Sequence, residues 1–170
     1  MKRKLSIVLV AALSLLITPP TTADAEQRHS EIAVGDIITY TEEIGAEYNI
    51  CPELLQAIIE RESQNNPYAS NGDCVGLMQV SEKWHTERME RLGVTDLYDP
   101  YSNILVGTDY LAELWRETSK KGYGDDLYYV LMRYNMTADS ANRLYENGNF
   151  SEYAISIAAR SVELEREHGK

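Results

Sequence analysis

What most constrains the fold of this chain is the spacing of its apolar residues, which recur every three or four positions in segment after segment and rarely alternate in twos. That spacing gathers side chains on one face of a helix, whereas a half-buried strand needs period two. Between Ile32 and Tyr48, the residues Ile37, Ile38, Tyr40, Ile44 and Tyr48 share a broad face. Cys51-Pro52 opens a second helix, with proline at a position that needs no N–H and Glu53 in the first turn, where the helix dipole favours a carboxylate. This helix runs to Gln64 and stops before Asn65-Asn66-Pro67, because a residue ahead of proline is pushed away from helical angles.

The remaining punctuation is equally regular. Ser70-Asn71-Gly72-Asp73 is a turn cluster, Ser81 is placed to cap a helix over residues 82–92, and Gly93 stops it. Asp99-Pro100 starts a long helix to Lys121, and an aspartate in the loop Gly122 to Asp126 can cap the next one, Leu127 to Tyr134. Two further helices, near Asp139 to Glu146 and Ser151 to His168, complete a mainly α domain of about seven helices with at most a small β-hairpin.

Residues 1–25 are set apart from this domain. MKRK is a basic head, Leu5 to Ile17 an apolar run, and Ala23-Asp24-Ala25 a small-x-small cleavage pattern, so a signal peptide and an extracytoplasmic, secreted location are expected. The run falls short of the roughly 20 residues of a membrane span, and no cysteine follows it to carry a lipid, so no stable membrane insertion is expected after cleavage. Residues 26–170 have the size of a single domain. Setting aside Lys2, Arg3, Lys4 and Asp24 leaves 13 basic and 26 acidic residues, a net charge of −13 against −11 for the whole chain. That surface repels nucleic acid. Cys51 and Cys74 both lie in the exported part, where oxidising conditions favour a disulfide between them; the competing reading, a catalytic thiol, would need one of His29, His85 or His168 as its partner. The histidines lack HExxH spacing, so neither a metal nor any other cofactor is expected.

One polar residue stands out. On the helix Pro52 to Gln64, Leu55, Ile58 and Ile59 form a stripe, and Glu62 continues it, seven positions from Leu55 and three from Ile59, while Glu60 points elsewhere. A carboxyl on a buried face must be paired, open to a cleft, or kept neutral by a raised pKa, and a neutral carboxyl at pH 7 is what a general acid needs. A solvated helix end, or pairing with Arg61, is the plain alternative.

The text around Glu62 resembles the lytic transglycosylase domain of the soluble type, a relative of goose-type lysozyme. Four blocks carry the resemblance: CPELLQAIIERESQNNPYA, VGLMQV, DLYDPYSNILVGTDYLAEL and DDLYYVLMRYN, in the family's order and at its spacing across Ile50 to Asn135. The resemblance implies a lysozyme-like helical domain with a substrate cleft, α+β by the lysozyme convention, beside which any hairpin would lie. It implies Glu62 as the catalytic acid and Ser63, Met78, Gln79, Tyr134 and Asn135 as substrate-binding neighbours. In this reading Met78 supplies an apolar wall, Gln79 a hydrogen bond to a sugar, and the Tyr134 hydroxyl a partner that orients the carboxyl. Asn103, Gly107, Tyr110 and Leu111 read as helix-packing positions, with Gly107 letting a neighbouring helix approach.

The implied chemistry needs one carboxyl. Glu62 protonates the oxygen between N-acetylmuramic acid and N-acetylglucosamine, then as a carboxylate removes the muramyl C6 hydroxyl proton, so that a 1,6-anhydromuramyl end forms without water. The rivals are a lysozyme-like muramidase using Asp73 as a water-activating base, a non-catalytic peptidoglycan-binding protein, and a thiol enzyme using Cys74. Departures from the family pattern fall at Ser70-Asn71, at Arg133, and at Met136-Thr137-Ala138-Asp139, which replaces Ala-Gly-Pro-Gly. The implied partner is the glycan strand, acted on by a monomer; wall turnover, spore processes and a wall-spanning secretion or conjugation machine all suit such an enzyme.

Overall fold

Helix α2 (Pro52–Ser63) shows how local sequence sets the architecture. Proline enters at its first turn, Glu53 follows, and Gln64 closes it in a left-handed conformation whose N–H bonds to the Glu60 carbonyl. Leu54, Leu55, Ala57, Ile58 and Ile59 are all buried, so α2 is the central element of the core. The computed structural model describes residues 22–120, 122–123 and 126–170, with side chains from residue 35 onward. The basic head and apolar run proposed as a signal segment lie outside these residues.

Around α2 stand α1 (Thr22–Tyr48), α3 (Glu82–Leu92), α4 (Pro100–Lys120), α5 (Leu127–Asn135), α6 (Ala138–Glu146) and α7 (Glu152–Glu167), seven helices among the described residues. Gly93 ends α3 with a positive φ of 70°, a conformation that glycine adopts at little cost. Asp126 caps α5 by accepting from the Tyr128 and Tyr129 N–H groups, and Thr137 and Ser151 cap α6 and α7 in the same way. Helices α1 and α7 both pack on α2, and α4 and α5 close the core with Ile104, Leu111, Val130, Leu131 and Met132. None of the described helices is long and apolar enough to cross a membrane.

The β structure is slightly larger than a hairpin. Strands β1 (Ser70–Asn71), β2 (Cys74–Val75) and β3 (Val80–Ser81) form an antiparallel sheet in sequential order, with Ser70 opposite Val75 and Cys74 opposite Ser81. Ser81 sits at the N-cap position of α3 but makes no capping bond. Its hydroxyl is buried without a partner, because pairing in β3 keeps this residue inside the sheet.

The expected disulfide is not formed. Both thiols are free: Cys51 precedes α2, whereas Cys74 follows it in β2 and feels the charge of Glu62 at the helix's far end. A helix of 12 residues is about 18 Å long, and a disulfide needs Cα atoms within about 7 Å. Cys51 donates instead to Glu53 and Glu165, at 3.0 and 3.4 Å.

Candidate active site

Glu62 is half-buried in the last turn of α2, where α5, α7 and β2 converge. Its Oε1 accepts a short 2.5 Å hydrogen bond from the Tyr153 hydroxyl of α7. Burial raises the Glu62 pKa above the ordinary carboxylate range, and this wins over the Tyr153 bond and the Arg61 charge, both of which pull it down. The carboxyl in turn pushes up the ionisation of its neighbours. Tyr153 and Tyr134 are raised first by their own burial and then by the Glu62 charge, which keeps both phenols protonated as hydrogen-bond donors.

Tyr134 therefore lies beside Glu62 without orienting it. Its hydroxyl donates 3.0 Å to the Met78 carbonyl, and the partner of the acid is Tyr153. Tyr153 carries no local sequence signal of this contact, because it is one tyrosine in a helical stripe 91 residues from its partner.

The VGLMQV segment is held by a polar clamp. Asn103 of α4, fully buried, accepts from the Met78 N–H at 2.7 Å and donates to the Val75 and Leu97 carbonyls at 2.9 and 2.8 Å. Gly76 must be glycine here: its φ is 76°, and a Cβ would sit 2.1 Å from Asn103 Nδ2. Gly107 accommodates the Met78 side chain, whose Sδ would lie 2.6 Å from an added Cβ, so what approaches is a loop side chain and not the neighbouring helix that sequence reading expected. Met78 itself is fully buried. Gln79 adopts a φ of 49°, and its Nε2 donates to the Gly76 and Ala69 carbonyls, at 2.9 and 3.2 Å, closing the turn beside β1.

Other expected site residues are less directly placed. Ser63 is buried, with its hydroxyl donating to the Ile59 carbonyl at 3.0 Å. Asn135 is exposed at the last position of α5. Asp73 is exposed between β1 and β2. Arg133, a departure from the family pattern, reaches Glu117 of α4 at 3.1 Å. In Met136-Thr137-Ala138-Asp139, Thr137 caps α6.

The ring of His85 packs on Tyr110 at 4.6 Å and Tyr110 on Tyr134 at 5.5 Å, an aromatic wall leading from α3 to the acid. Neither thiol has the lowered pKa of a nucleophile: burial raises Cys74, with Glu62 and Asp73 adding to it, and burial raises Cys51 to about 11. A cavity of about 1370 Å³ lies by the start of α2, lined by Tyr48, Cys51, Leu54, Asp109, Trp115 and Val162; Glu62 and its partners take no part in it.

A small helical domain with one half-buried, protonation-prone glutamate at the end of its central helix, braced by a three-stranded sheet, is of the lysozyme-like class. The chain belongs to the transglycosylase SLT domain family, whose model matches residues 39–156. It is 30% identical over 164 residues to the membrane-bound lytic murein transglycosylase C of Cronobacter sakazakii, an alignment covering 84% of this chain and 42% of that protein. It is 30% identical to the membrane-bound lytic murein transglycosylase E of Buchnera aphidicola, over 58% of this chain and 47% of the relative. A transglycosylase of Enterobacteria phage PRD1 is 36% identical over 98 residues, 57% of this chain and 33% of its own. The chain thus spans less than half the length of these relatives. The family match ends at residue 156, so Tyr153 lies inside it.

Proposed function

We propose that this protein is a peptidoglycan lytic transglycosylase that cleaves the β-1,4 bond between N-acetylmuramic acid and N-acetylglucosamine and leaves a 1,6-anhydromuramyl end. The observation that carries the proposal is the Glu62 carboxyl, held half-buried with a raised pKa in a domain of this family. Protonated, Glu62 donates to the glycosidic oxygen as the C1–O bond breaks. As the carboxylate it removes the proton of the muramyl C6 hydroxyl, whose oxygen bonds to C1. The acid is thereby restored and no water is consumed, so no second carboxyl is required. The Tyr153 hydroxyl fixes the carboxyl's orientation and stabilises its anionic stage.

Of the residues assigned to substrate, the exposed Asn135 and the half-buried Gln79, through its amide oxygen, offer polar groups to a sugar. Met78 and Ser63 act from beneath, by fixing the GLMQ turn and the end of α2. The basic head, the apolar run and Ala23-Asp24-Ala25 support export to the wall. Wall turnover, spore processes and local opening of the wall for a secretion or conjugation machine all suit such an enzyme.

Incubating the protein and its Glu62→Gln variant with purified peptidoglycan, followed by mass spectrometry of released muropeptides, tests the proposal. Anhydromuropeptides from the wild type and none from the variant are expected. Free reducing ends alone would instead assign hydrolysis, with Asp73 as the base to test next. Glycan that is bound but left uncut would make this a binding protein.

A further inference from the structure

Helices α2 and α7 form the most extensive helix pair of the fold and are cross-linked by polar side chains at three levels. At one end Tyr153 meets Glu62. In the middle Arg160 grips Glu60 with two parallel bonds, Nε to Oε2 at 2.6 Å and Nη2 to Oε1 at 3.0 Å. At the other end, just beyond the last turn of α7, Lys170 donates to Glu53 at 2.7 Å, and Glu53 Oε1 lies 2.9 Å from Nδ1 of the capping residue His168. The order along α2 is the reverse of that along α7, so the three links form one antiparallel ladder. Between them α7 turns Ala154, Ala158 and Ser161 inward with Ile157 and Leu164, all buried. The small side chains allow close approach, Ile157 and Leu164 supply the packing between them, and the polar links add directional restraints that non-directional apolar contact lacks.

We infer that Arg160 and Glu60 are positioning residues for the candidate acid: their two-bond fork fixes the register of α7 along α2 and so keeps the Tyr153 hydroxyl on Glu62. A fork restrains both distance and direction, which a single bond does not. Arg160 Nη1 also engages Glu167 at 2.9 Å and Glu163 at 3.5 Å, tying the guanidinium to its own helix so that a pull on it is a pull on α7. Tyr153 lies two turns from Arg160, about 10 Å along the axis, and a slip of one turn, about 5.4 Å, would carry its hydroxyl out of hydrogen-bonding range.

This inference rests on the proposed function for its kinetic consequence but not for its structural one, and the test separates the two. The Glu62 carboxyl is titrated by carbon NMR in the whole protein, in Tyr153→Phe, in Arg160→Met and in the double variant, alongside kcat, KM and melting temperature. The groups facing that carboxyl are Tyr153 from α7, Tyr134 from α5, Cys74 from β2 and Arg61 from α2 itself. Arg160→Met is expected to shift the Glu62 titration upward, in the same direction as Tyr153→Phe, and to lower kcat roughly tenfold with little change in KM. Combining the two should add nothing beyond Tyr153→Phe alone. Glu60→Gln should repeat the effect, and Arg160→Lys, which keeps the charge but loses the fork, should fall between wild type and Arg160→Met and serves if the methionine variant does not fold. An unmoved Glu62 titration with a lower melting temperature would reduce the pair to a structural ion pair and overturn the inference, as would additive shifts in the double variant. If the wild type makes no anhydro product, the functional reading fails while the titration still decides the register pin.

Discussion

Glu62 combines a carboxyl that water would hold ionised with a helix face that partly removes it from water. The Tyr153 bond favours the ionised form, so the Tyr153→Phe variant should raise the Glu62 pKa further and move the alkaline limb of the activity profile to higher pH, with a lower kcat; a limb unmoved or shifted downward would contradict the assignment. Asn103 shows the same dependence of one residue on several others. Asn103→Ala would strand the Met78 N–H and deprive the Val75 and Leu97 carbonyls of their donor, and should cost about 3 kcal/mol in denaturant unfolding. Glu62 was legible in the sequence because it extends an apolar stripe within a recognisable block. Tyr153 was not, because its meaning lies in a partner 91 residues away. Asn103 was legible as a packing position, but its three polar bonds depend on how the GLMQ turn folds over α4.

At the level of elements, the helices were readable wherever a proline, a glycine or a capping aspartate marks a boundary, since those residues act on their own backbone. Strand β3 was not, because two residues carry no period and only pairing with β2 makes them a strand. Gly107 joins α4 to the GLMQ turn, and Gly107→Ala should destabilise by about 1–3 kcal/mol, because three atoms of Met78 would lie within about 3 Å of the new methyl. At the start of α2, burial alone would raise the Glu53 pKa, but bonds from Lys170, Cys51 and His168 outweigh it and hold the carboxyl at about 2. The stabilisation from this depressed pKa is therefore full above the ordinary value of about 4.5 and is lost as the pH falls towards 2. Glu53→Gln should lower the melting temperature at pH 7, and the deficit should shrink on acidification over that range; a deficit independent of pH would contradict the ion-pair account.

For the whole molecule, the expected disulfide failed because composition and compartment say that two thiols can pair without saying how far apart the fold puts them. Here the length of α2 separates them, and the domain is held by one core and by polar links such as Arg88 with Asp109 and Arg160 with Glu60. The same helix that parts the cysteines brings Glu62 to the sheet, α5 and α7, so its length serves the site. Whether that site cleaves glycan through Glu62 is decided by the mass of the muropeptides that the wild type and the Glu62→Gln variant release from purified peptidoglycan. Products lighter by one water than hydrolytic ones, formed only by the wild type, are expected. Equal release by both proteins would contradict Glu62 as the catalyst.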